Sequence, residues 1–392
     1  MESKAVGVKG SLLPHVHDGA CAPSVGTFDP QKELFVNLFS PLSLGDLELP
    51  NRLVMAPLTR VRSGVEGVPG PLVVEHYKQR ASLGLIVTEG TYPSHAGQGF
   101  PGQPGLVTPE QIAGWTNVAA AVHSAGGRLV AQVMHAGRVT HEGTNGGREV
   151  VAPSAIAING ETRTYEGKAA YPVPHALTSD ELPGVIADFV QASRNAIAAG
   201  LDGVEIHSAN GYLLHEFLSP ASNQRDDSYG GSPENRARFV VEVVTAVAAA
   251  IGAGRVGIRV SPEHNIQDAL EPDAADVLAT YGALADALAP LKLAYLSILH
   301  GDPAGELVQQ LRTRFGGRLL VNSGFGEMTG RNEAMAIVAD DLADAVVVGR
   351  AVIANPDLVA RWLKDLPLNA PDPLTFYGAG AEGYTDYPAL AH

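Results

Sequence analysis

Short apolar runs of Val, Leu, Ile and Ala recur along the chain, each followed by residues with helical spacing. Eight of these runs are predicted strands, at 53–56, 85–88, 129–133, 203–207, 256–260, 294–298, 319–322 and 345–349. They are continuous rather than alternating, the pattern of strands covered on both faces in a parallel sheet. Between them, the helical pattern 179–199 brings Leu182, Ile186, Phe189, Val190, Ser193 and Ile197 near one side. Its start, Thr178-Ser179-Asp180-Glu181, reads as cap-forming residues followed by acids that suit the positive end of a helix dipole. Thr108-Pro109 and Ser232-Pro233 open two further helices with a hydroxyl at the cap and proline in the first turn. Gly126-Gly127, Gly200, Gly252 and Gly316-Gly317 stop several of them.

Eight strand–helix pairs in order predict an α/β fold, a single closed (β/α)8 TIM barrel. An open doubly wound sheet is the alternative, but no early Gly-rich dinucleotide turn supports it. Two departures from the repeat stand out. Residues 39–49 precede the first strand and read as an N-terminal hairpin that caps the barrel floor, with its turn at Ser43-Leu44-Gly45-Asp46. Residues 140–176 form a long loop after strand 3, a natural lid or binding loop. Residues 1–33 are rich in Gly, Pro and Ser without a sustained period, and are expected to be a flexible extension of a barrel domain spanning 34–392.

Composition narrows the class. A chain of 392 residues with 45% hydrophobic positions can bury a large core, so neither a stapled miniprotein nor a disordered chain fits. The formal net charge of −15 argues against a nucleic-acid partner, whose phosphates it would repel. Cys21 is the single cysteine, which excludes an internal disulfide framework and a cysteine-based zinc cluster. No apolar stretch is long enough for a membrane span and the polar start is not a secretory signal, so a cytoplasmic protein is expected. His123, His135, His141 and His175 form no metal-ligand pattern, and no G-x-S-x-G elbow is present.

Barrel chemistry comes from the C-terminal ends of strands. The fourth strand ends in His207-Ser208-Ala209-Asn210-Gly211-Tyr212, where an imidazole and a carboxamide three residues apart can both donate to one oxygen. Tyr212 adds a weak acid able to deliver a proton. The same residues also read as a satisfied polar turn, and the sequence leaves both open. Thr59 and Gln132 stand at comparable ends, each with a bland reading, as a cap and as a partner of nearby backbone. Arg259 lies inside a strand, where a guanidinium needs either an anionic ligand or a buried carboxylate. Asn322-Ser323-Gly324-Phe325-Gly326 and Gly349-Arg350 end strands seven and eight, where barrels commonly hold phosphate.

These stretches carry a further pattern. The chain resembles the Old Yellow Enzyme family of flavin-dependent ene-reductases over about residues 37–390. The resemblance rests on Asn51-Arg52-Leu53-Val54-Met55-Ala56-Pro57-Leu58-Thr59-Arg60, Val87-Thr88-Glu89-Gly90 and Glu205-Ile206-His207-Ser208-Ala209-Asn210-Gly211-Tyr212. Asn223-Gln224-Arg225-Asp226-Asp227-Ser228-Tyr229-Gly230-Gly231 and Gly383-Tyr384-Thr385-Asp386-Tyr387-Pro388 extend it. The resemblance implies non-covalent FMN, with Pro57, Leu58 and Thr59 against the ring and Gly90 and Gln132 at its polar edge. Arg259 would offset charge on the reduced flavin, and Ser323, Gly324, Phe325, Gly349 and Arg350 would hold the phosphate. It further implies His207 and Asn210 as the donor pair for a substrate carbonyl, Tyr212 as proton donor and Tyr377 as an aromatic near the substrate.

The implied activity is hydride transfer from NADPH or NADH to FMN, then from flavin N5 to the C=C bond of an α,β-unsaturated carbonyl or nitro compound, with protonation by Tyr212. The expected partners are small activated alkenes, with no nucleic acid or membrane, in a monomer or homodimer. A non-catalytic flavin- or phosphate-ligand-binding barrel and a dienoyl-CoA reductase-like enzyme are the alternatives. The latter typically carries an iron–sulfur cluster and an extra nucleotide domain, for which one cysteine and this length leave no place.

Overall fold

The computed structural model describes residues 36–324 and 328–390, and the expected N-terminal extension lies outside them. Eight parallel strands close into a barrel. In chain order they are β1 (Leu53–Met55), β2 (Leu85–Val87), β3 (Leu129–Val133) and β4 (Gly203–Ser208), then β5 (Val256–Val260), β6 (Tyr295–Leu299), β7 (Leu319–Asn322) and β8 (Ala345–Val348). β8 pairs with β1, and β3 with β4, which completes the ring. The helices between them are α1 (Pro71–Lys78), α2 (Pro109–Ser124), α3 (Leu182–Ala198), α4 (Pro233–Ile251), α5 (Ala274–Leu288), α6 (Glu306–Phe315) and α7 (Arg331–Ala339). α8 (Leu358–Leu363) follows β8 after a short helical turn at Arg350–Ala354. The (β/α)8 expectation holds, and no described helix is long and apolar enough to cross a membrane.

Two apolar sets explain why the strands read as continuous runs. Leu53, Met55, Ile86, Leu129, Val133, Ile206 and Ile258 face the helices and merge with the apolar faces of α2, α3, α4 and α5. The alternate residues Val54, Leu85, Val87, Val130, Tyr295, Leu320 and Val347 pack inside the barrel. Period-2 alternation is present, but both of its faces are apolar. Higher up the interior, the positions in step with this inner set become polar: Gln132, Glu205, His207, Arg259, Ser297 and Asn322. The core is therefore hydrophobic at its floor and hydrophilic at its mouth.

The floor is closed as expected. Leu42–Leu44 and Leu47–Leu49 form an antiparallel hairpin whose four leucines are buried against the inner set while Ser43 and Glu48 face outward. Its turn docks on the β5 side, where Asp46 N donates to Gly254 O at 2.9 Å. α2 begins with a reciprocal capping box between Thr108 and Gln111, and Ser232 caps α4 through Asn235 N. α3 begins later than expected, at Leu182. Glu181, the intended first-turn acid, instead accepts from Thr178 N at 2.7 Å and pairs with His175 at 3.0 Å. The long loop after β3 is also more ordered than a loop. It holds a hairpin, Glu161–Thr164 with Gly167–Ala170, and a parallel bridge between Val151–Ala152 and His175–Ala176.

Gly257 on β5 lies opposite both Glu205 and Tyr295 in register. A Cβ there would collide with the fully buried Tyr295 ring, so the missing side chain is what admits a tyrosine to the barrel interior. Gly257→Ala is expected to destabilise the protein by roughly 1–3 kcal/mol through overpacking. Denaturant unfolding measures this, and an unchanged midpoint would contradict it.

Candidate active site

β4 ends in a sharp exit. Asn210 and Gly211 follow one another in the left-handed region, with φ of 60° and 78°. Asparagine tolerates that conformation better than most residues, and such outliers gather at functional sites. The turn is held from several sides. Asn210 N donates to Ser261 Oγ at 2.8 Å, and Gly211 N donates to His215 Nδ1 at 2.8 Å. Because His215 Nδ1 accepts, its Nε2–H faces the buried Glu271 carboxylate at 3.2 Å. Glu271 also accepts from Tyr281 Oη and from Glu263 N, both at 2.8 Å, which ties the loop after β5 to the loop after β4.

The result is a cavity of about 630 Å³ at the C-terminal mouth of the barrel, lined by His207, Asn210 and Tyr212 together. His207 is 3% exposed. Burial, reinforced by Arg259 and His215, holds its imidazole well below the ordinary value, so the ring is neutral near pH 7. Its Nδ1 lies 3.3 Å from Gln132 Nε2, which leaves Nε2 for a ligand. Asn210 Oδ1 is buried and meets no described protein donor, so its amide is not committed to the fold. Tyr212 lies partly open to the cavity, its ring 5.3 Å from that of His207. Burial pushes its phenol well above the ordinary value, while a hydrogen bond from the Gln267 side chain opposes that rise.

Arg259 resolves the choice its position posed. Its Nη1 donates to Ser297 Oγ at 3.2 Å and its Nη2 to Asn322 Oδ1 at 3.1 Å. Glu205, 1% exposed and one inward layer below His207, supplies the countercharge. The Nε of Arg259 remains buried without a described partner, on the wall of the cavity. The carboxylate is therefore present, and the Nε leaves one guanidinium donor facing the cavity.

Most of the sequence-predicted binding residues meet here. Pro57, Leu58 and Thr59 form one wall, and Thr59 caps no helix. Gln132 and Arg259 form a polar edge, while Gly324, Gly349 and Arg350 gather beyond β7 and β8. Tyr377 stands at the rim, 63% exposed. Gly90 is not on the lining: its carbonyl accepts from Gln103 Nε2 at 2.8 Å and it packs beneath Met134, which is. Ser323 also stands aside, its hydroxyl bonded to Thr329 Oγ1 at 2.9 Å. Phe325 falls outside the described residues.

The sequence reading assigned no role to Glu205, Asn322, Gln267 or the pair Arg60 and Arg62. Arg60 Nε donates to Phe376 O at 3.0 Å and Arg62 Nη2 to Thr375 O at 2.8 Å, which fastens the C-terminal segment over the mouth. Two arginines directly after a barrel strand were the available signal. Chemically, the cavity offers an apolar wall, a polar edge carrying one cation, an anion-accepting end, and two hydrogen-bond donors beside a protonated phenol.

Comparison with known proteins agrees with this arrangement. The family described as NADH:flavin oxidoreductase / NADH oxidase matches residues 37–369. A probable flavin mononucleotide-dependent alkene reductase of Leishmania infantum is 43% identical over 362 residues, covering 90% of this chain and 97% of that protein. 12-Oxophytodienoate reductase 1 of Oryza sativa subsp. japonica is 40% identical over 371 residues, covering 91% and 93%. Among solved structures, the old yellow enzyme homologue from Zymomonas mobilis aligns with a TM-score of 0.85 at 38% identity, over 90% of this chain and 99% of its own. Morphinone reductase in complex with tetrahydroNAD aligns with a TM-score of 0.84 at 45% identity, over 90% and 98%. The chain belongs to the NADH:flavin oxidoreductase / NADH oxidase family, that of the Old Yellow Enzymes.

Proposed function

We propose that the protein is an FMN-dependent ene-reductase that takes reducing equivalents from NAD(P)H and reduces the C=C bond of small α,β-unsaturated carbonyl or nitro compounds. The observation that carries this reading is the pairing, in one cavity, of the neutral donors His207 and Asn210 with the buried, incompletely satisfied Arg259. The residues fit FMN. Ala56, Pro57 and Leu58 offer an apolar surface to a planar ring, Gln132 and Arg259 suit its polar edge, and Gly324, Gly349 and Arg350 suit its phosphate. Bound there, FMN would accept hydride from the reduced nicotinamide and pass it to the β carbon of the alkene.

The chain's own part is electrostatic and acid–base. His207 through Nε2–H and Asn210 through its amide donate to the substrate oxygen, which draws electron density from the conjugated bond. Arg259 favours negative charge developing nearby, and the low dielectric of the barrel mouth strengthens all three interactions. Tyr212 holds a proton for the α carbon, and the Gln267 side chain steadies that hydroxyl. Tyr377 and Phe376 frame the opening. The net charge of −15 supports small-molecule rather than nucleic-acid partners, and the single cysteine suits a reducing cytoplasm.

The direct test is anaerobic addition of NADPH or NADH to FMN-loaded protein. The yellow colour should bleach and return on adding cyclohexenone, whereas folded protein that stays colourless after FMN loading would sink the reading. His207→Ala should retain FMN and lose roughly 10²–10³-fold in kcat for an enone, the usual cost of one oxyanion donor. Tyr212→Phe should slow the alkene step about 10²–10⁴-fold while leaving reduction by the nicotinamide untouched. Stopped-flow separation of the two half-reactions checks both variants. His207 is depressed below its usual range and Tyr212 raised above its own, so neither changes charge near neutrality. The alkene step should therefore be flat from about pH 6.5 to about pH 9, and a limb centred on an ordinary histidine would contradict the assignment.

A further inference from the structure

Glu205 has no contact with the cavity, yet it touches the residues that set its chemistry. Its carboxylate lies in the barrel interior, on β4 directly beside Gln132 of β3 in register and one inward position below His207. Glu205 Oε1 accepts from Gln132 Nε2 at 2.8 Å, and the buried Tyr295 phenol lies near the same carboxylate. Arg259 is its opposing charge. Burial raises the Glu205 carboxyl above its ordinary value, and Arg259 opposes that rise. The oxygen facing Gln132 accepts, so it decides which end of the amide turns towards it. An amide between neutral neighbours would face no such choice.

That decision propagates. The Gln132 NH2 group turned towards Glu205 is the one that reaches His207 Nδ1, at 3.3 Å. An amide nitrogen donates and does not accept, so Nδ1 must carry the lone pair and the ring proton must sit on Nε2. With the opposite tautomer, His207 would point a lone pair at the substrate oxygen and repel the charge that it has to stabilise. Arg259, beside His207 in register, discourages the doubly protonated ring as well.

We propose that Glu205 is a positioning residue that, through Gln132, locks His207 as the neutral Nε2–H tautomer. This rests on the role assigned above to His207 but concerns a proton's location rather than turnover. The two claims can therefore fail separately.

The test is ring ¹⁵N NMR on histidine-labelled, FMN-loaded protein, with the His207 signals identified by their loss in His207→Asn. At about pH 7 the wild type should show a protonated Nε2 and an unprotonated Nδ1. Glu205→Gln frees the Gln132 amide to turn, so Nδ1–H character should appear at His207. In the same variant kcat for an enone should fall about tenfold with KM for the nicotinamide unchanged. A wild-type His207 protonated on Nδ1, or on both nitrogens, would overturn the proposal. So would Glu205→Gln protein whose His207 signals match the wild type. Should that variant fail to fold, Gln132→Leu removes the same amide donor and should mix the tautomers, and His207 signals unchanged in that variant would overturn the proposal.

Discussion

The site depends on how a closed barrel of apolar strands accommodates an opposed pair of charges. Glu205 and Arg259 are both almost wholly buried, and each would be costly alone. Neither relies only on the other. Gln132 bonds the carboxylate and the Tyr295 phenol lies near it, while Ser297 and Asn322 occupy two positions of the guanidinium. These six residues come from β3, β4, β5, β6 and β7, so the charge pair is shared around most of the ring. It sits where the leucine and valine interior ends and the cavity begins. Displacing one member would disturb the histidine above it and the tyrosine below it together.

Arginine has a second use around the mouth. Arg60, Arg62, Arg80 and Arg138 are buried, yet the bonds of their side chains run chiefly to backbone carbonyls. Arg80 donates to Val352 O and Ile353 O after β8, and Arg138 to Ile156 O and Gln267 O across two loops. Irregular chain near the cavity carries carbonyls that no ladder satisfies, and a guanidinium with five donors can gather several at once. The loops that hold Gln267 and Tyr377 are thereby braced through their backbones.

Much of this was legible beforehand, for identifiable reasons. The eight strands showed because both of their faces are apolar, and the floor hairpin because Leu42, Leu44, Leu47 and Leu49 alternate cleanly about a Gly-Asp turn. His207, Asn210 and Tyr212 were picked out because they stand at a strand end, and they do line one cavity. The hairpin at Glu161–Ala170 did not, since its strands read ETRT and GKAA and offer no apolar face. Its position follows from Tyr165 at the tip, whose hydroxyl receives a bond from Gln98 Nε2 at 3.2 Å, a contact between residues 67 apart in the chain. Gly90 was drawn off the lining by Gln103, and Ser323 by Thr329. The part played by Glu205 needs a parity and a partner on another strand, and a linear pattern supplies neither.

The fastening of the C-terminal segment bears on how such a protein can change. Arg60 and Arg62 grip it through the carbonyls of Thr375, Phe376, Gly380, Glu382 and Gly383, which every amino acid possesses. Exposed side chains there, such as Leu374 and Tyr377, contribute nothing to that anchorage. Drift or selection can therefore rewrite the side chains of the rim while the attachment survives. The buried layer beneath, with its interlocked charges, has no comparable freedom.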